Sequence, residues 1–254
     1  MNNFYTDDYI TFEEKYHRYF NPDGIEFMSM SKILKGIQIP FDREGMSKRI
    51  AKSRNITQAE VLKEWDKKRD DSIDHGNNIH NGMENYFRAE KVSDPKVEKL
   101  AKYFARELDG YKQIIPEKIF YDEEYLVAGQ ADLVLDRGKG KNWVVDIFDY
   151  KTNLEKGICF DSISRKKSEP KDYKKFLLDP VSHLEECNYN IYSLQLSGYA
   201  YMMEKTYGIK PGKLFIVYIY EKNGILDYRL LPVNYMKYEV QAIFETNKKL
   251  YKLD

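Results

Sequence analysis

Residues 1–112 contain few β-branched runs and several stretches of helical periodicity, which predicts a mainly helical region. In "SMSKILKGI" Ser29 or Ser31 is placed to cap a helix that ends at Gly36. "TQAEVLKEWDKKRDDSIDHGNNIHNGMENYF" opens with Thr57 and Glu60 at capping-box spacing. Gly76 is expected to interrupt this stretch, so that a new helix carries His80, Met83, Glu84 and Phe87. From Pro116 the alternation changes to period two. "EKIFYDEEYLVAGQADLVLD", "RGKGKN" and "WVVDIFDYKT" predict strand, strand, turn and strand in an antiparallel meander. The polar stretch 163–190 predicts a loop or insertion. Helical spacing returns in "NIYSLQLSGYAYMMEKTYG", which Gly208 ends. Two apolar strands around Asn223-Gly224 predict a hairpin, and "VQAIFETNKKLYKL" a closing helix.

This pattern predicts an α/β (α+β) chain. Residues 1–112 form the helical region carrying His80, and residues 113–254 form the core, together one compact unit. At 254 residues the chain is long enough to bury a core without disulfides or metal staples. Lys plus Arg and Asp plus Glu are both 41, so any nucleic-acid surface must be a local patch. The densest candidate is "SRKKSEPKDYKK", with Lys166, Lys167, Lys174 and Lys175, which reads equally as a solvated loop. No apolar signal segment or membrane-length run is evident, and the two cysteines, Cys159 and Cys187, suit a reducing cytoplasmic setting. Their number excludes an iron-sulfur cluster, which needs about four.

The run "VVDIFDYKTN" reads as a buried strand yet carries Asp146, Asp149 and Lys151, and isolated buried charges cost several kcal/mol each. Val145, Ile147, Asp149 and Lys151 share one strand face, as do Gln130, Asp132 and Val134 in the preceding strand. Pairing across the turn brings Asp132 beside Asp149 and Lys151. Two adjacent carboxylates followed by a lysine suit a divalent metal and the water it activates. An Asp and a Lys at i and i+2 are also frequent on solvated strand faces. Asp146 falls on the opposite face and reads as structural.

"AGQADLVLD" followed by "FDYKTN" resembles the G-x-x-D and D/E-x-K motifs of the PD-(D/E)XK nuclease superfamily. "LQLSGYAY" resembles the Q-x-x-x-Y helix of its RecB-like and phage-exonuclease branch, and "HGNNIHNGMENYF" is similar to that branch's G-x-x-x-H-x-x-x-E helix. The resemblance covers Gly76 to Tyr199 in the family's order and implies a restriction-endonuclease-like core, a central mixed sheet flanked by helices. It implies that Asp132, Asp149, the Tyr150 carbonyl and His80 ligate Mg²⁺ or Mn²⁺. Lys151 would orient or deprotonate the attacking water, Glu117 would contact metal or water, and Gln195 and Tyr199 would brace the lysine and the DNA strand. This chain has Asp-Tyr-Lys where many relatives have Glu at the first position, a shorter reach to the metal.

The implied activity is a metal-dependent deoxyribonuclease, an exonuclease acting on linear DNA ends in recombination or repair. A phage origin and a single-strand annealing protein or helicase as partner fit the same resemblance, and an oligomer is compatible with it. The residues keep plainer readings: Asp132 as a hairpin residue, His80 as a satisfied helix histidine, Glu84 as partner of a basic neighbour, and Gln195 and Tyr199 as helix surface and core. At the level of function, the alternatives are a non-cleaving DNA-end-binding or recombination-partner protein on the same fold, and a protein whose acidic strands bind Ca²⁺.

Overall fold

The computed structural model describes residues 3–6, 8–138, 143–152, 157–162 and 174–251. Its strands are β1 (Thr11–Glu13), β2 (Arg18–Phe20), β3 (Glu26–Ser29), β4 (Gln113–Asp122), β5 (Val127–Asp136), β6 (Val144–Lys151), β7 (Lys210–Lys222) and β8 (Ile225–Val233). The helices are α1 (Met30–Gly36), α2 (Arg43–Arg54), α3 (Gln58–Phe87), α4 (Pro95–Phe104), α5 (Asn188–Tyr207) and α6 (Lys237–Tyr251).

One mixed sheet runs β1-β2-β3-β5-β6-β7-β8, with β4 paired to β5. The β4, β5 and β6 pairings are antiparallel, as the alternation predicts. The β3–β5 and β6–β7 pairings are parallel, the second reached through the α5 crossover. Asn223 and Gly224 both adopt positive φ, the backbone a two-residue hairpin between β7 and β8 requires.

The sheet is covered on both faces. Val134 and Ile147 pack with Met30, Leu194, Tyr199 and Phe244 under α1, α5 and α6. Leu133, Leu135 and Phe148 point the other way, against Ile79, Met83, Leu100 and Phe104 of α3 and α4. Burial on both sides explains why β5 and β6 read as nearly continuous apolar runs.

Residues 1–112 carry the expected helices and also three short strands, which have too few residues to show an alternation. A second departure is α3. It runs unbroken for 30 residues through Gly76, from a complete capping box at Thr57 and Glu60. A single helical glycine costs only about 1 kcal/mol, which the capping box and the burial of Ile79 and Met83 offset. At Gly76 an added Cβ would sit 3.3 Å from Thr152 Oγ1, so the glycine admits the end of β6.

Residues 163–173, most of the polar insertion, lie outside the described residues, and so do 139–142 of the predicted turn. From 174 to 187 the chain is irregular apart from a bridge between Phe176 and Glu185. Among the described residues no helix is long and apolar enough to cross a membrane.

Candidate active site at an open strand edge

The strand pairings leave an opening in the middle of the sheet. β4 covers one edge of β5 from Val127 to Asp136. The other edge is divided: β3 pairs only with Val127 and Ala128, and β6 only from Leu133 onward. Residues 129–132 therefore have no strand on that edge among the described residues. A side chain replaces the missing ladder bond, since the Tyr150 N–H donates to the Asp132 carboxylate. The motif glycine serves the same opening. A Cβ on Gly129 would lie 2.6 Å from Tyr199 Cε1 and 3.2 Å from Met30 Cβ, so both α1 and α5 close down on the bare backbone.

Continuing the β5–β6 register from Leu133 and Phe148 sets Asp132 opposite Asp149. Both are buried. The Lys151 ammonium pairs with Asp149 and lies 5.0 Å from the centroid of the Tyr192 ring on α5. From α3, His80 places Nδ1 3.1 Å from Asp132 Oδ1 and turns its ring edge-on to Tyr150. Glu117 lies across from Asp132 on β4, where pairing lapses between Pro116–Leu133 and Lys118–Ala131. Its φ is 52°, a left-handed conformation rare for a residue with a side chain, and its carbonyl accepts from Gln130 Nε2 at 3.1 Å.

These contacts set the charge balance. Burial pushes the Glu117 carboxyl up to about 9, helped by the negative charges of Asp132, Glu84 and Asp149. Burial raises Asp149 to about 6 although Lys151 opposes the shift, with Asp132 adding to it. Asp132 is held below the usual carboxylate range: burial disfavours its charge, but His80, Lys151 and the Tyr150 N–H outweigh it. His80 and Lys151 are both raised, because Asp132 and Asp149 overcome the burial that disfavours their charge. Three carboxyls thus face two cationic groups.

Chemically the donors suit a small hard cation: oxygen from Asp132 and Asp149, with a borderline nitrogen from His80. In the geometry described, His80 bonds to Asp132 and Asp149 pairs with Lys151. Among the described residues no group of three or more His, Cys, Asp and Glu side chains is arranged to hold a metal ion. Beside them opens a cavity of about 530 Å³, bordered by Phe12, His80, Glu84, Glu117, Gln130 and Asp132.

Asp132, Asp149, Lys151, His80, Glu117 and Tyr150 therefore come together from four elements. Gln195 donates to the Tyr199 hydroxyl at 2.7 Å, and Tyr199 fills the space over Gly129. The ring under Lys151 belongs to Tyr192, which the motif reading did not single out. Its spacing three residues before Gln195, on the same side of α5, was the available signal. Glu84 borders the cavity and accepts from Arg88 Nε at 2.7 Å, so its plainer role as partner of a base is realised as well. Asp146 is buried away from the site and accepts from Tyr111, from Arg137 Nη2 at 2.7 Å and from the Lys213 N–H at 2.7 Å. Of the four lysines of the basic run, Lys166 and Lys167 lie outside the described residues. Lys174 pairs with Glu185, and Lys175 is exposed.

No protein-family model and no curated protein matches the chain. Among solved structures it is similar to one from Eubacterium rectale provisionally named an exonuclease, at 14% identity and a TM-score of 0.40, over 69% of this chain and 64% of that one. It is also similar to the crystal structure of SSO0001, at 13% identity and a TM-score of 0.38, over 88% of this chain and 75% of that one. The chain spans less than two thirds of the Eubacterium protein's length. Similarity this distant assigns no activity.

Proposed function

We propose that this chain is a metal-dependent deoxyribonuclease on a restriction-endonuclease-like core, an exonuclease that removes nucleotides from linear DNA ends in recombination or repair. The observation that carries the reading is the meeting of Asp132, Asp149, Lys151 and His80 at the unpaired edge of β5. They come from three separate sequence motifs, and Tyr199 of the fourth packs on Gly129 at the same edge.

Asp132, Asp149, the Tyr150 carbonyl and His80 would hold Mg²⁺ or Mn²⁺. When bound, the ion would acidify a water and offset charge on the phosphate and on the leaving oxygen. The chain's own groups do the rest. Lys151, fixed between Asp149 and Tyr192, orients the attacking water and stabilises negative charge as it grows on the phosphate. In-line attack then releases the 3′ oxygen and leaves a 5′ phosphate. Glu117, held by its unusual backbone and neutral at pH 7 without the ion, can hydrogen-bond a water beside Asp132. In this reading the partners are DNA ends together with a single-strand annealing protein or helicase, and the setting is the cytoplasm of a bacterium, phage-infected or not.

The test is cleavage of end-labelled linear DNA and of closed circular DNA in Mg²⁺, in Mn²⁺ and in EDTA. Metal-dependent degradation of the linear substrate alone is expected. Nicking of the circle would replace the exonuclease with an endonuclease. Inactivity in both metals would leave the non-cleaving end-binding protein as the better account.

A further inference from the structure

The 530 Å³ cavity is bordered by four acids, Glu14, Glu84, Glu117 and Asp132, and by no lysine or arginine. With equal numbers of acids and bases in the chain, the phosphates of a bound strand must be held elsewhere. The densest positive charge among the described helices is on α2. Its twelve residues include five bases and one acid, and it buries only Ser47 and Ala51. A helix so polar gains little from packing against the protein, which suits a surface meant for another molecule.

Three of the five bases are neutralised: Arg43 pairs with Asp66, Lys48 with Glu44 and Arg54 with Glu64. Arg49 and Lys52 are exposed and have no carboxylate within ion-pair distance among the described residues, and the same holds for Lys32 and Lys35 on α1. An aromatic pair stands where the chain passes from α1 to α2, its Phe41 between the two sets of cations in sequence. Phe41, next to the α2 cap Asp42, is 66% exposed and lies 5.6 Å, ring centre to ring centre, from Trp65 of α3. An exposed ring backed by a half-buried one, between two helices that carry unpaired cations, matches single-stranded nucleic acid, whose bases stack on aromatic rings while its phosphates follow the charge.

The position suits a strand that enters the site. Met30, the first residue of α1, packs against Gly129, three residues before Asp132. Arg43 is bonded to Asp66, which precedes His80 by fourteen residues on α3. At about 1.5 Å per residue this is roughly 21 Å, about six nucleotide steps of 3.4 Å.

We propose that α1, α2 and the Phe41–Trp65 pair form a track for single-stranded DNA leading to the site, with Arg49, Lys52, Lys32 and Lys35 on phosphates and Phe41 with Trp65 under bases. The assignment rests on the nuclease reading for its substrate, and its test does not require cleavage. In EDTA, single-stranded oligothymidylate is titrated while tryptophan emission is followed; Trp65 is one of two tryptophans in the chain. Quenching is expected with wild type and its loss with Trp65→Phe. Arg49→Gln with Lys52→Gln should weaken binding at least about tenfold and flatten the salt dependence by about 1.4, at about 0.7 per lost contact. Phe41→Ala should weaken it at least about fivefold through lost stacking. Arg49, Lys52 and Phe41 are exposed and Trp65→Phe keeps an aromatic ring at a half-buried position, so melting temperatures should hold and report that the variants fold. Unchanged affinity and salt slope in the double variant, absence of Trp65 quenching, or tighter binding of duplex than of single strand would each overturn the track. If the variants bind normally while the protein still degrades DNA, only the track falls. If the protein neither binds nor cleaves DNA, the nuclease reading falls with it.

Discussion

His80 and Asp132 stand 52 residues apart in sequence, yet Nδ1 of one lies 3.1 Å from Oδ1 of the other. The contact exists because α3 continues through Gly76 and carries the imidazole to the open edge of β5. An imidazole nitrogen favours Mn²⁺ over Mg²⁺. His80→Ala should therefore lower Mn²⁺ affinity and Mn²⁺-supported cleavage more than it lowers folding stability. Calorimetric titration with each metal, beside urea denaturation, checks this. Identical metal responses in variant and wild type would return His80 to the role of an ordinary helix histidine.

The acids of β6 should separate by phenotype. Asp146 fills the irregularity where the β6–β7 register shifts, and Gly212 leaves it room, since a Cβ there would meet Asp146 Oδ1 at 2.0 Å. Asp146→Ala takes away the buried acceptor shared by the Tyr111 hydroxyl, the Arg137 guanidinium and the Lys213 N–H, and should cost about 1–3 kcal/mol in urea denaturation. Cleavage per folded molecule should be unchanged. A loss of rate without a loss of stability would mean that Asp146 acts at the site.

The residues that could be placed from sequence are those whose position depends on local geometry. Period two alone set Asp132, Asp149 and Lys151 on one face, and Asn223-Gly224 located its hairpin by turn chemistry. The open edge was not legible, because it results from β3 and β6 sharing one side of β5, a contact between distant segments. Gly76 misled for a related reason: a local rule for glycine competes with tertiary burial of Ile79 and Met83, and burial prevailed. Glu117's positive φ and the approach of Tyr192 to Lys151 likewise depend on neighbours remote in the chain.

Gly129 of the strand motif and Gly36 at the end of α1 should differ in their tolerance of a methyl group. Gly129→Ala drives a Cβ against Tyr199 and Met30 and should destabilise by about 1–3 kcal/mol. Gly36, on α1, has nothing within 4 Å of the added carbon, so Gly36→Ala should be neutral or stabilising by up to about 1 kcal/mol. Thermal melts of the two variants check the contrast. Equal tolerance would show that α1 and α5 do not clamp the open edge.

Lys151 is where the site's chemistry is most sharply tested, because its ammonium occupies Asp149, the carboxylate a cation would use. Removing the ammonium should therefore leave metal affinity intact or raise it, while the group that the nuclease proposal has orient water and stabilise transition-state charge is lost. Lys151→Ala should lower the cleavage rate by about 10² or more. Asp149→Asn should lose metal and rate together, since an amide oxygen is a far weaker ligand for a hard cation. Tyr192→Leu removes the ring under the lysine, a contact of about 0.5–2 kcal/mol, and should lower kcat about 2-fold to 30-fold with metal affinity unchanged. All three variants should bind DNA in EDTA like wild type, because in the proposed reading phosphate contacts away from the site supply that affinity. Calorimetric metal titration and cleavage of end-labelled DNA by each folded variant separate these outcomes. A Lys151→Ala protein that cleaves at the wild-type rate would show that the lysine belongs to the strand's charge balance alone and that β6 carries no nuclease motif.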